Sequence, residues 1–200
     1  MPRTLLIACL LFLPLTAKAQ EQPRAEVFGG YSFFHTDGGG NLHGWNASVA
    51  GNLNKWFGVV ADFSGHYGSE SFQAVPPEAV GPFPPLPRLA TSIDSNLHLF
   101  LAGPRLSYRE HDRLIPFGHL LLGVARSHVD GKFEGSTFIV RFNDTSTAFS
   151  MALGGGLDVK LSGRVALRLI QADYLLTRFN DNTQHNARIS VGVVFRFGMK

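Results

Sequence analysis

Apolar and polar residues alternate with period two in eight separate stretches of this chain, and strong helical periodicity is missing between them. In residues 149–161, Phe149, Met151, Leu153, Leu157, Val159 and Leu161 fall on one side. Ser150, Ala152, Gly154, Gly156, Asp158 and Lys160 fall on the other. Successive side chains of a strand point to opposite faces, so this pattern predicts a strand with one apolar and one polar face. The same reading holds for residues 26–35, 45–53, 57–67, 100–108, 119–125 and 188–197. In residues 165–177 the pattern slips. Val165, Leu167 and Leu169 share a face that Ile170, Ala172, Tyr174 and Leu176 continue, and a β-bulge at Leu169 and Ile170 restores the register.

The connections alternate in length. Residues 54–55, 110–113 and 162–163 are short and polar, whereas 36–41, 68–96, 127–145 and 179–185 are long. The second long connection carries Pro76, Pro77, Pro82, Pro84, Pro85 and Pro87, which exclude it from a sheet interior. Nothing marks a boundary between two folded domains.

The amino terminus reads as an address. Arg3 precedes an apolar run over residues 4–15, and Ala17-Lys18-Ala19 follows as a small-x-small cleavage pattern. We expect residues 1–19 to be a signal peptide removed before Gln20, after Sec-type export, and residues 20–200 to form the mature domain. Only five residues separate Arg3 from Cys9, and the apolar run continues past it, which argues against lipidation at that cysteine. Cleavage removes Cys9, the single cysteine, so the mature chain has no disulfide and no thiol chemistry. It also removes Arg3 and Lys18, lowering the formal net charge from +3 to +1. With no block of Lys and Arg, a nucleic-acid partner is not expected.

A soluble sandwich also alternates, but it buries its apolar face. Here that face carries aromatics near both strand ends: Tyr31, Trp45, Tyr67 and Tyr174 toward one, Phe57, Tyr108, Phe195 and Phe197 toward the other. Two aromatic girdles on an exported alternating sheet indicate a membrane, and in lipid the sheet must close so that every backbone group is paired. The expectation is an all-β, eight-stranded antiparallel up-and-down transmembrane barrel. Both termini then face the periplasm and four long loops face outward. Small residues such as Gly103, Gly123, Ala152, Gly154 and Gly192 suit a crowded interior. Glu26, Asp62, Arg105, Asp158, Lys160, Arg168, Asp173, Arg188 and Arg196 also fall on the polar face. Charges in a narrow lumen must pair to offset desolvation. Counting back from the turns pairs Asp158 with Arg168 and Asp173 with Arg188, and closure brings Glu26 to Arg196.

At this point the chain resembles the small outer-membrane β-barrel family, to which the membrane domain of OmpA and the opacity-type surface proteins belong. The resemblance covers about residues 25–197, including 41–69, Gly103-Pro104-Arg105 and 152–161. The last strand, Ser190-Val191-Gly192-Val193-Val194-Phe195-Arg196-Phe197, is similar to the assembly signal of that class. The resemblance implies that Ser190, Gly192, Phe195 and Phe197 are read by the barrel-assembly machinery. Family members usually end on the aromatic, whereas Gly198-Met199-Lys200 follow it here.

Other chemistry is thinly supported. The eight histidines show no metal-ligand spacing, and no metal or cofactor is expected, although His66 and His119 suit lumenal hydrogen bonding. A lipid-A-modifying enzyme would need a nucleophile, a histidine and an acid at the rim. Ser127, His128 and Asp130 are the nearest set, but neighbours on a strand diverge. A secreted ligand-binding barrel would need an apolar interior. The reading is therefore a non-enzymatic, monomeric integral outer-membrane protein embedded in lipid. Its role is structural or surface-interacting, with a narrow pore as a further possibility.

Overall fold

The computed structural model describes residues 22–74, 89–111, 113–134, 139–179 and 182–199. The expected export segment, its cleavage site and the proline-rich stretch lie outside these residues. Eight strands follow one another: β1 (Ala25–His35), β2 (Asn41–Asn52), β3 (Phe57–Ala74), β4 (Leu89–Ser107), β5 (Leu114–Glu134), β6 (Ile139–Lys160), β7 (Val165–Phe179) and β8 (Asn182–Phe197). Each pairs antiparallel with the next, and β1 pairs with β8 to close the barrel, with Glu26 opposite Arg196 and Tyr31 opposite Val191.

The tight turns form through side chains that replace missing backbone partners. Asn54 Oδ1 accepts from the amides of Trp56 and Phe57, both at 2.8 Å. Ser162 Oγ accepts from those of Arg164 and Val165 at 3.3 and 3.1 Å. The β7 bulge lies where the alternation slips. Leu157 opposes Ile170 while Asp158 opposes Arg168, and on the other side Arg168 opposes Gly192 while Gln171 opposes Ser190. Leu169 and Ile170 both face outward and are exposed. Glycine is required where β8 closes on β1: Gly30 lies opposite Gly192, and a Cβ on Gly192 would overlap the Gly29 carbonyl oxygen.

Three of the four expected long connections are shorter than the sequence suggests. In the stretch 68–96, residues 68–74 and 89–96 are strand, because β3 runs to Ala74 and β4 starts at Leu89, with Gly68 opposite Ser95. Likewise, within 127–145, β5 runs to Glu134 and β6 starts at Ile139, and β7 and β8 take all but two residues of 179–185. Beyond the bilayer both faces of a sheet meet water, so alternation disappears while backbone pairing propagates. Ser92, Asp94, Asn143 and Asp144 have low strand propensity and read as loop for that reason.

The apolar faces point outward. Val27, Val49, Val59, Phe63, Phe100, Leu122, Val124, Phe149, Leu153 and Val191 are all exposed. The interior is richer in large apolar side chains than expected. Phe34, Leu97, Leu99, Leu101, Leu121 and Leu175 are buried in it, forming an apolar layer beside the polar one. They escape sequence reading because they sit in runs such as Leu120-Leu121-Leu122, where both faces are apolar.

Candidate functional site

The inward polar residues form two connected clusters. Nearer the tight-turn end, Arg168 donates to Asp158 through Nε at 2.8 Å and Nη2 at 3.1 Å. Arg105 bridges Asp158 and Glu26, at 3.2 and 3.0 Å. The Phe117 ring lies between the two guanidinium groups, 4.1 Å from Arg105 and 4.4 Å from Arg168, and Arg168 also covers Phe28 at 4.2 Å. Arg109 reaches Glu26 at 3.4 Å, Asn52 at 2.9 Å and the Lys55 carbonyl at 3.0 Å. Arg196 opposes Glu26 in register, but its Nε stays 3.8 Å away, and both Nε and Nη1 are buried without a hydrogen-bond acceptor.

Deeper in the barrel, Arg188 joins two carboxylates on opposite sides of the lumen. It donates to Asp62 at 2.7 Å, and to Asp173 through Nε at 2.9 Å and Nη2 at 2.7 Å. Asp173 also accepts from His119 at 2.7 Å and from Gln171 at 2.8 Å, and Asn46 donates to both oxygens of Asp62 at 3.0 Å. Gln171 accepts from Arg168 at 2.6 Å and so links the clusters. Gly154 lies opposite Asp173, and a Cβ there would occupy the carboxylate's place. Above, Ser32 Oγ bonds to His66 Nε2 at 2.9 Å and to Ser190 Oγ at 3.0 Å.

Eight of the nine charges named from the sequence therefore lie in these two clusters, while the ninth, Lys160, is part-exposed and joins neither. Arg109 is the member that sequence reading missed. It lies just past β4, yet it continues the inward odd positions Arg105 and Ser107, and that parity was the available signal. Of the last-strand residues, Ser190 and Gly192 line the interior contact with β1, whereas Phe195 and Phe197 project outward and are exposed.

At the long-strand end the barrel opens into a cavity of about 510 Å³. Phe34, Leu42 and Leu97 give it apolar surface, Ser127, Thr177 and Asn186 polar surface, and Asp37 and Glu70 acidic groups. Its rim is uneven. Strands β3 to β6 rise well beyond their neighbours, because β6 pairs with β7 only from Phe149 onward. Residues 139–147 of β6 pair with β5 and extend past the end of the β6–β7 ladder on the other side. On the outer surface, Ser127 and His128 do diverge in parity, but β6 supplies another hydroxyl. His128 Nδ1 bonds to Thr145 Oγ1 at 2.7 Å, and its Nε2 donates to Asp130 at 3.1 Å.

Comparison with known proteins places this architecture. Among curated proteins, none matches the chain. The solved structure of Ail, the attachment invasion locus protein of Yersinia pestis, in complex with the heparin analogue sucrose octasulfate, is similar at 18% identity and a TM-score of 0.53. The match covers 88% of this chain and 99% of that one. Neisserial surface protein A is similar at 11% identity and a TM-score of 0.48, over 86% and 96% of the two chains. The likeness to Ail is one of fold. The model of the outer membrane protein beta-barrel domain matches residues 5–197. With the closed barrel, the exposed apolar belt and the charged interior, that match makes this chain a member of the outer-membrane β-barrel family.

Proposed function

We propose that this outer-membrane barrel is a surface-interaction protein that captures extended polypeptide along the protruding edge of β6. The observation that carries the reading is the edge of β6 at residues 139–147, which runs past the β6–β7 ladder that starts at Phe149. A strand edge offers a row of backbone donors and acceptors, and soluble proteins usually cover or charge such edges. Here Ile139, Val140 and Phe142 are 56%, 50% and 42% exposed, and Arg141 and Asp144 are the only charges in the stretch. An added strand would gain main-chain hydrogen bonds, with specificity from alternate side chains. The charge clusters hold the barrel walls together beneath this surface. Export behind residues 1–19, assembly through Ser190, Gly192, Phe195 and Phe197, and a monomeric state complete the proposal.

The reading is non-enzymatic. In the Thr145–His128–Asp130 relay the side chains of His128 and Asp130 are 41% and 50% exposed. Water therefore screens the relay, and the dry, preorganised surroundings that give such groups catalytic power are missing. Lipid A from cells with and without the protein should have the same mass spectrum.

The test uses the barrel in nanodiscs and a library of ten-residue peptides alternating Val with polar residues. Binders should protect amides of residues 139–147 from hydrogen exchange, and backbone N-methylation of the peptide should abolish binding. Binding that survives N-methylation, or that protects other residues instead, contradicts β-augmentation.

A further inference from the structure

Each of the four hairpins carries an outward-facing histidine bonded to a hydroxyl of its paired strand. Tyr31 on β1 meets His43 Nδ1 on β2 at 2.5 Å, and Tyr67 on β3 meets His98 Nε2 on β4 at 3.2 Å. His128 on β5 meets Thr145 on β6 at 2.7 Å, and Tyr174 on β7 meets His185 Nδ1 on β8. Three of the four rings sit two residues beyond an outward aromatic or opposite such a position. His43 lies two residues beyond Trp45, and His98 two beyond Phe100, toward the long-strand end. His185 is opposite Leu176, two beyond Tyr174, whereas His128 is two beyond Arg126, the register partner of His98, and so lies two residues farther out. His43, His98 and His185 therefore occupy the rungs just outside the aromatic girdle. That is the depth at which lipid headgroups begin.

The hydroxyl contact fixes what each ring offers. A phenol is the better donor of the pair, so a neutral imidazole accepts on the bonded nitrogen and carries its proton on the other. His43 Nε2, His98 Nδ1 and His185 Nε2 are those other nitrogens, and none meets a further protein acceptor among the described residues. Arg126, exposed and opposite His98, adds a fixed positive charge. The nearby carboxylates are already engaged: Asp37 Oδ2 accepts from the His185 amide at 3.2 Å, Asp130 from His128 at 3.1 Å, and Asp94 from Ser69 at 2.5 Å. The belt thus presents donors beside apolar surface suited to acyl chains.

We infer that this imidazole belt is a recognition surface for the phosphate groups of outer-leaflet glycolipid, with His43, His98 and His185 donating through their free nitrogens and Arg126 supplying charge. Phosphate oxygens accept such bonds strongly because the acceptor is ionised. A lipid phosphate is favoured over a soluble ion because the donors, on β2, β4 and β8 with Arg126 on β5, adjoin the lipid-facing girdle. They do not converge on a single pocket.

Native mass spectrometry of the detergent-solubilised barrel tests this with two lipid probes, bisphosphorylated lipid A and its dephosphorylated form. The wild-type protein should bind the phosphorylated lipid about tenfold more tightly. Equal affinity for the two overturns the inference by itself. In the His43→Phe/His98→Phe/His185→Phe variant, which keeps the aromatic surface, the preference should fall to about twofold or less. In the corresponding triple Gln variant, which keeps neutral donors, most of the preference should remain. Full preference in a folded Phe variant contradicts the assignment. So does displacement of the lipid by equimolar inorganic phosphate, which would make the belt a site for the ion alone.

Discussion

Arg188 and Arg196 are both lumenal arginines on β8, and their surroundings differ sharply. Arg188 satisfies Asp62 and Asp173 together, whereas Arg196 stands 3.8 Å from Glu26, which already holds Arg105 and Arg109. Removing one side of a buried ion pair leaves the partner's charge without compensation, typically at about 3–5 kcal/mol. Arg188→Met should therefore cost that much in denaturant unfolding from vesicles, while Arg196→Met should cost under about 1 kcal/mol, since it removes a charge with little compensation. Asp158 supports both Arg168 and Arg105. Asp158→Ala should hurt more than the double variant with Arg168→Met, and the cycle should show coupling above about 0.5 kcal/mol. Strictly additive losses would mean that the pair does not interact.

How much of the interior was legible depends on which partners a strand count can reach. Asp158 with Arg168 and Asp173 with Arg188 are neighbours across one ladder, so a turn and a parity locate them. Asp62 with Arg188, and Glu26 with Arg105, meet across the lumen from non-adjacent strands. Those contacts depend on barrel diameter and stagger, which no local pattern encodes. Glu26 with Arg196 was the converse case, since register opposition alone left the guanidinium short of a good bond.

At the scale of the element, β7 shows how a broken pattern carries information. Leu169 and Ile170 both face lipid while Arg168 and Gln171 face inward, so β7 holds one residue more than regular alternation allows. Deleting Ile170 should leave every other side chain on its present face. Deleting Ala172 should force Gln171 toward lipid or pull Arg168 from Asp158, because a one-residue slip reverses faces. On gels of unboiled samples, the first deletion should retain the faster-migrating folded band and the second should lose it. The reverse outcome would place the bulge elsewhere. Strand ends were the least legible part of each element. The bilayer imposes alternation on the strand centres, and the rising ends of β4, β5 and β6 escape that constraint.

For the whole molecule, the barrel separates three environments: an apolar belt outside, paired charges inside, and a raised edge at one rim. On the lipid side, Val193→Arg on β8 should cost about 2–4 kcal/mol if it lies near the midplane. Gly192→Ala should instead act by pressing against β1, where Gly29 and Gly30 leave no room for a Cβ. All of these features presuppose that β1 and β8 meet, and closure can be tested directly because the expected mature chain has no cysteine of its own. Val27 and Phe195 are register partners that both face outward. Opposed residues have Cβ atoms about 4.5–5.5 Å apart, within reach of a disulfide after slight adjustment. Val27 and Val191 lie four residues out of register, roughly 13 Å apart along the strand. In isolated outer membranes, oxidised Val27→Cys/Phe195→Cys protein should form an intrachain crosslink that shifts its mobility on a denaturing gel, while Val27→Cys/Val191→Cys should not. An absent crosslink in the first pair, or equal crosslinking in both, would contradict a closed eight-stranded barrel.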